Sequence, residues 1–201
     1  MDLKTTDPQI ASLALAEEKR QGEVLEMISS ENYASPAVRQ ALGSVLTNKY
    51  SEGYPHKRYY QGNRYIDEIE DIAIERTKKL FGVPYANVQP YSGSPANSAV
   101  YFALLNPGDT IMGLKLSAGG HLTHGHPKVT FSGKYFASVQ YDVEEDGTIN
   151  LEKVADLAIM HKPRLIVVGT TAYPRIYDWK KWKEICESVH AFFLADISHI
   201  T

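Results

Sequence analysis

The sequence predicts an α/β fold, a mostly parallel sheet with helices on its faces, entered through a helical and extended arm. Three observations carry that prediction. Beyond Gly82, short apolar runs alternate with helical patterns. Two of those runs, Leu165-Ile166-Val167-Val168 and Phe192-Phe193-Leu194-Ala195, are apolar at every position, as strands buried on both faces are. One helical pattern lies between them, so Arg164 to Ile197 reads as a strand-helix-strand crossover.

Taken from the amino end, Asp7-Pro8 reads as an N-cap with proline at the first helical position, opening a helix to about Gln21. Ser35-Pro36 is a second start of the same type. From Leu46 to Asn63 the composition turns loop-like and aromatic, with Tyr50, Tyr54, Tyr59 and Tyr60 among glycines, a proline and basic residues, which points to binding. A long helix follows, with Ile66, Ile69, Ala73, Thr77 and Leu80 on one face and Gly82 as its C-cap. Strands are expected over Ala86 to Gln89, Thr110 to Leu114, Tyr135 to Val139, Arg164 to Gly169 and Phe192 to Ile197. Helices are expected over Pro95 to Leu105, Leu151 to His161 and Trp179 to His190. The organisation is an arm over residues 1–80 and an α/β domain over 81–201. That domain stops just past a central strand, where a doubly wound sheet would continue, so it reads as incomplete.

Bulk properties narrow the function classes. A net charge of −3 gives no basic footprint for nucleic acid or an anionic membrane. No apolar run approaches the ~20 residues that span a bilayer, and the opening residues lack an apolar signal core. The one cysteine, Cys186, permits no disulfide within the chain and fits a reducing compartment. A cytoplasmic protein is expected.

Three segments carry candidate chemistry. In Tyr91-Ser92-Gly93-Ser94-Pro95-Ala96-Asn97 a small-residue turn opens a helix, where free backbone N–H groups, two hydroxyls and the helix dipole would receive a phosphate. Ser94-Pro95 as a plain helix cap is the simpler alternative. Asp196 closes a buried strand at the edge where ligands of open α/β sheets bind, and a carboxylate there calls for a cationic partner such as a protonated pyridine nitrogen. A structural or metal-binding aspartate fits the same position. Gly119 to His126 holds three histidines, compatible with an aromatic histidine facing a flat ligand, with zinc, or with a plain loop. No metal site is expected.

In order and spacing, the blocks Ile28-Ser29-Ser30-Glu31-Asn32, Leu46 to Pro55, Arg58-Tyr59-Tyr60, Asn87 to Asn97, Gly119 to Gly125, Ala172-Tyr173-Pro174-Arg175 and Asp196 to Ile200 resemble the serine hydroxymethyltransferase family. That family lies within the aspartate-aminotransferase fold group, fold type I of the pyridoxal-phosphate enzymes. The resemblance implies reversible conversion of serine and tetrahydrofolate to glycine and 5,10-methylenetetrahydrofolate. It implies pyridoxal 5'-phosphate as cofactor, tetrahydrofolate as co-substrate, and a homodimer or larger assembly of such dimers. Ser92, Gly93 and Ser94 would hold the cofactor phosphate, Asn97 and Thr171 would lie near the ring oxygen, and His121 would stack on the ring. Asp196 would pair with the ring nitrogen. His199 would help hold the ring oxygen and, with Ser30, the substrate carboxylate region.

Tyr50, Glu52, Tyr59 and Tyr60 match residues offered to the neighbouring subunit's site, which makes residues 1–80 a dimer-contact segment. Tyr50 would touch the partner's phosphate, and Glu52 would handle a proton near the serine hydroxyl and folate, a role suited to a buried acid of adjustable acidity. Leu116, Gly120, His121 and Leu122 would border folate. The sequence departs from the family at Gln61-Gly62, Thr171, Pro95 and Thr201, none of which removes a functional group used above. The resemblance places the lysine that holds the cofactor covalently, in a threonine-rich segment ending in His-Lys, after residue 201, together with the arginine for the substrate carboxylate. The 201 residues are therefore expected to be inactive alone. A non-catalytic dimer-arm fragment that pairs with another chain, and a threonine aldolase or aminotransferase of the same fold, are the alternatives; the Glu52 and paired-tyrosine block speaks against the latter.

Overall fold

A computed structural model describes residues 2–201, which form two compact units divided between Tyr33 and Ala34. The first holds helices α1 (Leu3–Thr6) and α2 (Pro8–Glu23). The Asp7 carboxylate accepts from the Ile10 N–H at 3.1 Å and Pro8 occupies the first turn, as the sequence predicts.

The second unit opens with α3 (Pro36–Leu42), capped by Ser35 through Val38 N–H. Within the aromatic loop lies an unforeseen hairpin: β1 (Gly53–Tyr54) pairs antiparallel with β2 (Lys57–Arg58). Helix α4 (Arg64–Phe81) follows and ends on Gly82. Of its expected apolar face, Ile66, Ala73 and Thr77 are half-buried, whereas Ile69 and Leu80 are exposed. Ala86 to Gln89, expected as a strand, is irregular, because the Asn87 side chain turns onto the Gln89 N–H at 2.9 Å and offers the backbone a local alternative.

The sheet is built by β3 (Thr110–Leu114), β4 (Ala137–Tyr141), β5 (Leu165–Gly169) and β6 (Phe192–Asp196), all parallel in the order β4-β3-β5-β6. Helices α5 (Gly93–Leu104), α6 (Phe131–Tyr135), α7 (Leu151–His161) and α8 (Trp179–Ser188) cover it. Strand β4 starts two residues later than expected. Tyr135 belongs to α6, and the later register lays Tyr141 beside Leu114, where its hydroxyl donates to the Val167 carbonyl at 3.0 Å.

Alternation along β5 divides the core. Ile166 and Val168 pack with Met112, Leu114, Val154, Trp182 and Cys186 on the α7 and α8 side. Leu165 and Val167 pack with Ile111, Tyr101 and Phe136 on the α5 and α6 side. The chain leaves β3 towards β4 and leaves β5 towards β6, so connections diverge between β3 and β5. The carboxyl ends of those strands flank the crevice where open α/β sheets bind ligands.

Candidate functional site

Asp196 ends β6 directly opposite Gly169 of β5. A Cβ on Gly169 would run into the Asp196 backbone, so only glycine permits this approach. The Asp196 side chain is 10% exposed, and the protein supplies donors to both of its oxygens. Oδ2 accepts from His124 Nε2 and Asn97 Nδ2, each at 2.9 Å. Oδ1 accepts from the Ser198 backbone N–H at 3.2 Å and the Ser198 hydroxyl at 2.6 Å. Burial alone would push this carboxyl up, but the bonds from His124, Asn97 and Ser198 together outweigh it and hold the group well below the ordinary carboxylate range. Asp196 is an ionised, oriented anion at the end of a strand.

Two elements bring those donors. Helix α5 presents Asn97 and Tyr101, one turn apart, to the loop after β3. Asn97 Nδ2 also donates to Thr123 Oγ1 at 2.9 Å, and the Tyr101 hydroxyl donates to the Thr123 carbonyl at 2.7 Å. The loop reaches this position because β3 carries Gly113, where any Cβ would strike the His124 backbone. The Gly119 carbonyl then accepts from Thr171 N–H at 2.8 Å, Ala172 N–H at 3.1 Å and Thr170 Oγ1 at 2.7 Å. The loops after β3 and β5 are thereby tied together over the crevice.

The histidines have separate tasks. His124 Nδ1 accepts from the His121 N–H at 3.2 Å, which leaves the proton on Nε2 for Asp196. His121 Nδ1 lies 2.8 Å from Thr123 Oγ1 and accepts from the Thr123 N–H at 3.2 Å. Burial first, and then the neighbouring His124, lower the His121 pKa and favour its neutral ring. His126 Nδ1 accepts from the Lys128 N–H.

At the start of α5, Ser92 is the N-cap residue but makes no side-chain capping bond, and Ser92, Gly93 and Ser94 are exposed. The helix begins ahead of Ser94-Pro95, so that pair is not its cap. Ser198 Oγ lies 3.7 Å from where a Cβ on Gly93 would stand, which puts this helix start beside the turn after Asp196.

A second group forms on the hairpin. The Tyr50 hydroxyl donates to Glu52 Oε1 at 3.1 Å, and Tyr50 meets Tyr60 edge to face with ring centroids 5.0 Å apart. Bonding to Glu52 raises the Tyr50 pKa. Glu52, expected as a buried acid, is exposed in the single chain, as are Tyr59 and Tyr60. Of the other expected residues, Leu116 is exposed on a 3-10 turn after β3, Gly120 is buried, and Leu122, Thr171 and His199 are half-buried. Ser30 lies in the first compact unit. Sequence reasoning missed His124, Thr123 and Ser198 as partners of the site. The histidine-rich segment was a visible signal, but nothing in its spacing told which ring turns inward.

Fold and site define an α/β protein with a ligand crevice at the carboxyl ends of a parallel sheet. The family model for serine hydroxymethyltransferase matches residues 3–201. The chain is 58% identical over 198 residues to the serine hydroxymethyltransferase of Francisella philomiragia, covering 98% of this chain and 47% of that protein. It is 58% identical over 200 residues to that of Acidothermus cellulolyticus, covering 99% and 47%, and 55% identical over 195 residues to that of Acinetobacter baumannii, covering 96% and 46%. The chain belongs to the serine hydroxymethyltransferase family, and with it to fold type I. It spans about half the length of the relatives it matches.

Proposed function

We propose that the protein takes part in the reversible conversion of serine and tetrahydrofolate to glycine and 5,10-methylenetetrahydrofolate, with pyridoxal 5'-phosphate as cofactor, as a cytoplasmic homodimer. The observation that carries the reading is the Asn97–Asp196 hydrogen bond. It joins the start of the second turn of α5 to the strand-end carboxylate, with Gly93 four residues, roughly 6 Å of helix, before Asn97. An uncapped helix start beside the turn after Asp196, and an ionised carboxylate bonded to the same helix, suit the two ends of a phosphorylated pyridine ring.

The residues present fit that group. Ser92, Gly93 and Ser94 would hold its phosphate, and Asp196 would pair with its ring nitrogen. When bound, the cofactor supplies an electron sink for negative charge at the substrate carbon. His121, favoured as a neutral ring, suits stacking on an aromatic face. Asn97, expected beside the ring oxygen, takes a supporting role, because its amide nitrogen is committed to Asp196 and Thr123. Thr171 and His199 border the ring oxygen, with His199 towards the substrate carboxylate. Leu116, Gly120, His121 and Leu122 border folate. Tyr50, Glu52, Tyr59 and Tyr60 act in a second subunit's site, Glu52 as the proton carrier, and docking there would bury the carboxylate that a single chain leaves exposed.

Lys115 is paired with Asp142 at 2.7 Å and is not reassigned as the covalent anchor. No lysine among these residues stands in the threonine-rich motif of the family, so the 201-residue polypeptide alone is expected to turn over no serine. Glycine formation that requires serine, tetrahydrofolate and pyridoxal phosphate, measured on the full-length polypeptide carrying this sequence, tests the reading. Glycine formation that proceeds without the cofactor would overturn it.

A further inference from the structure

We propose that Arg58 and Asn63 are positioning residues for Glu52: two buried side chains that grip the backbone on either side of it and fix its orientation against α4. The proposal rests on the reading of Glu52 given above and adds what holds it in place.

A hairpin of two-residue strands has too little pairing to hold its own shape. Arg58 supplies what is missing. Its side chain is 4% exposed, and Nη1 donates to the carbonyls of Ser51 at 2.7 Å and Gly53 at 2.8 Å, the residues flanking Glu52. Nε reaches Asp67 Oδ1 at 2.8 Å and Nη2 reaches Glu70 Oε2 at 2.6 Å, both on α4. One planar cation therefore bolts the two neighbours of Glu52 to a helix. Gln89 repeats the link, donating to the Gly53 carbonyl at 2.9 Å and to Glu70 Oε1 at 2.7 Å. The Glu52 carbonyl itself accepts from the Tyr59 N–H at 3.2 Å.

Asn63 makes the same case by what it forgoes. It stands at the N-cap of α4, where an asparagine side chain ordinarily accepts from the helix N–H groups, yet it makes no capping bond. Its amide nitrogen donates instead to the carbonyls of Tyr50 at 3.3 Å and Tyr60 at 3.1 Å. Burying a guanidinium with two carboxylates costs more desolvation than an apolar contact of similar size would. What this arrangement gains is geometry: Tyr50, Tyr59 and Tyr60, 61%, 79% and 55% exposed, project from a backbone held at almost every step.

The test uses the full-length polypeptide and two variants chosen to fold. Asn63→Ser places a residue favoured at helix N-caps there and loses the grip. Arg58→Met combined with Asp67→Asn and Glu70→Gln removes the clamp without stranding a buried charge. Titration of the Tyr50 phenol, followed by NMR on ring-labelled tyrosine, reads the Tyr50–Glu52 bond without reference to turnover. Both variants should unfold cooperatively and return the Tyr50 titration towards its ordinary 10.0. They should also lower kcat about 10- to 100-fold, with KM for serine little changed. An unmoved Tyr50 titration in a folded variant overturns the proposal, whatever the activity does. A moved titration with parental kcat overturns the link from geometry to turnover. Glu52→Gln separates the two layers: if that variant keeps parental activity, the assigned role of Glu52 fails, while the Tyr50 titration still decides the clamp.

Discussion

His124 donates through Nε2 to Oδ2 of Asp196 across 2.9 Å, with the histidine ring almost wholly buried and its Nδ1 fixed by the His121 N–H. This is a carboxylate-orienting histidine. Its partner is set by the crossing of the loop after β3 to the end of β6.

Replacing His124 by Leu should therefore act on Asp196. The variant loses a charge-assisted donor, and stability should fall by about 1–3 kcal/mol in urea denaturation near neutral pH. The Asp196 carboxyl lies below its ordinary 3.8 in the folded protein, so its contribution is fully present above that value and is lost as pH falls through the folded value. Acid unfolding profiles of parent and Asp196→Asn should accordingly converge as pH drops below about 3.8. Profiles that stay parallel down to the acid transition would show that Asp196 is not held ionised.

His121 carries a different signature. Burial and His124 lower its pKa below 6.5, so the folded state favours the neutral ring. The stability it contributes is complete above 6.5 and lost as pH falls through the lowered folded value. Proton NMR of the ring should place its midpoint below 6.5, and His124→Leu should move that midpoint upward. A midpoint above 6.5 in the parent would mean that the neighbouring carboxylate outweighs burial.

The sheet was legible from its apolar runs, and Leu165 to Val168 is buried at every position as expected. Phe192 to Ala195, expected to be buried on both faces, is a strand but lies at the sheet edge. Phe192 and Ala195 are exposed there because β6 has a neighbour on one side alone among the described residues. The hairpin was not legible, since two-residue strands leave no period in the sequence and are held by Arg58 from outside. The start of β4 was misplaced because Tyr135 and Tyr141 are both aromatic and only pairing with β3 chooses between registers. At the site, Asp196 and the Ser92-Gly93-Ser94 turn could be named from their place at element ends. Their connection through Asn97 could not, because residues 97 and 196 are brought together by the fold alone.

Gly113→Ala tests how the loop crosses the sheet. The added methyl meets the His124 backbone, which cannot rotate away as a side chain tip could. The loop must lift, with a cost of about 1–3 kcal/mol. A loss of stability in thermal unfolding should be accompanied by an upward move of the Asp196 titration. Unchanged stability would mean that the loop has slack.

Arg58→Met alone should be far worse than its neutral combination with Asp67→Asn and Glu70→Gln. The single change leaves two carboxylates, each about one-eighth exposed, without their cation. The expected loss is about 3–5 kcal/mol, recovered in large part by the triple variant. Denaturant midpoints of the two proteins decide it, and equal midpoints would show that charge burial is not what Arg58 answers.

Cys186 offers a probe of the α8 side of the core. Its side chain packs among Trp182, Ile185 and the sheet, and burial pushes the thiol up to about 12. The thiolate is the reactive form, so the native protein at neutral pH should resist a thiol reagent on both access and ionisation. Labelling should then proceed through opening of the α8 region, its rate rising with urea as that unit is destabilised. Trp182→Phe, which thins the packing over the same strands, should accelerate labelling in the absence of urea. Prompt stoichiometric reaction of the parent protein would contradict the packing of α8 against β5 and β6.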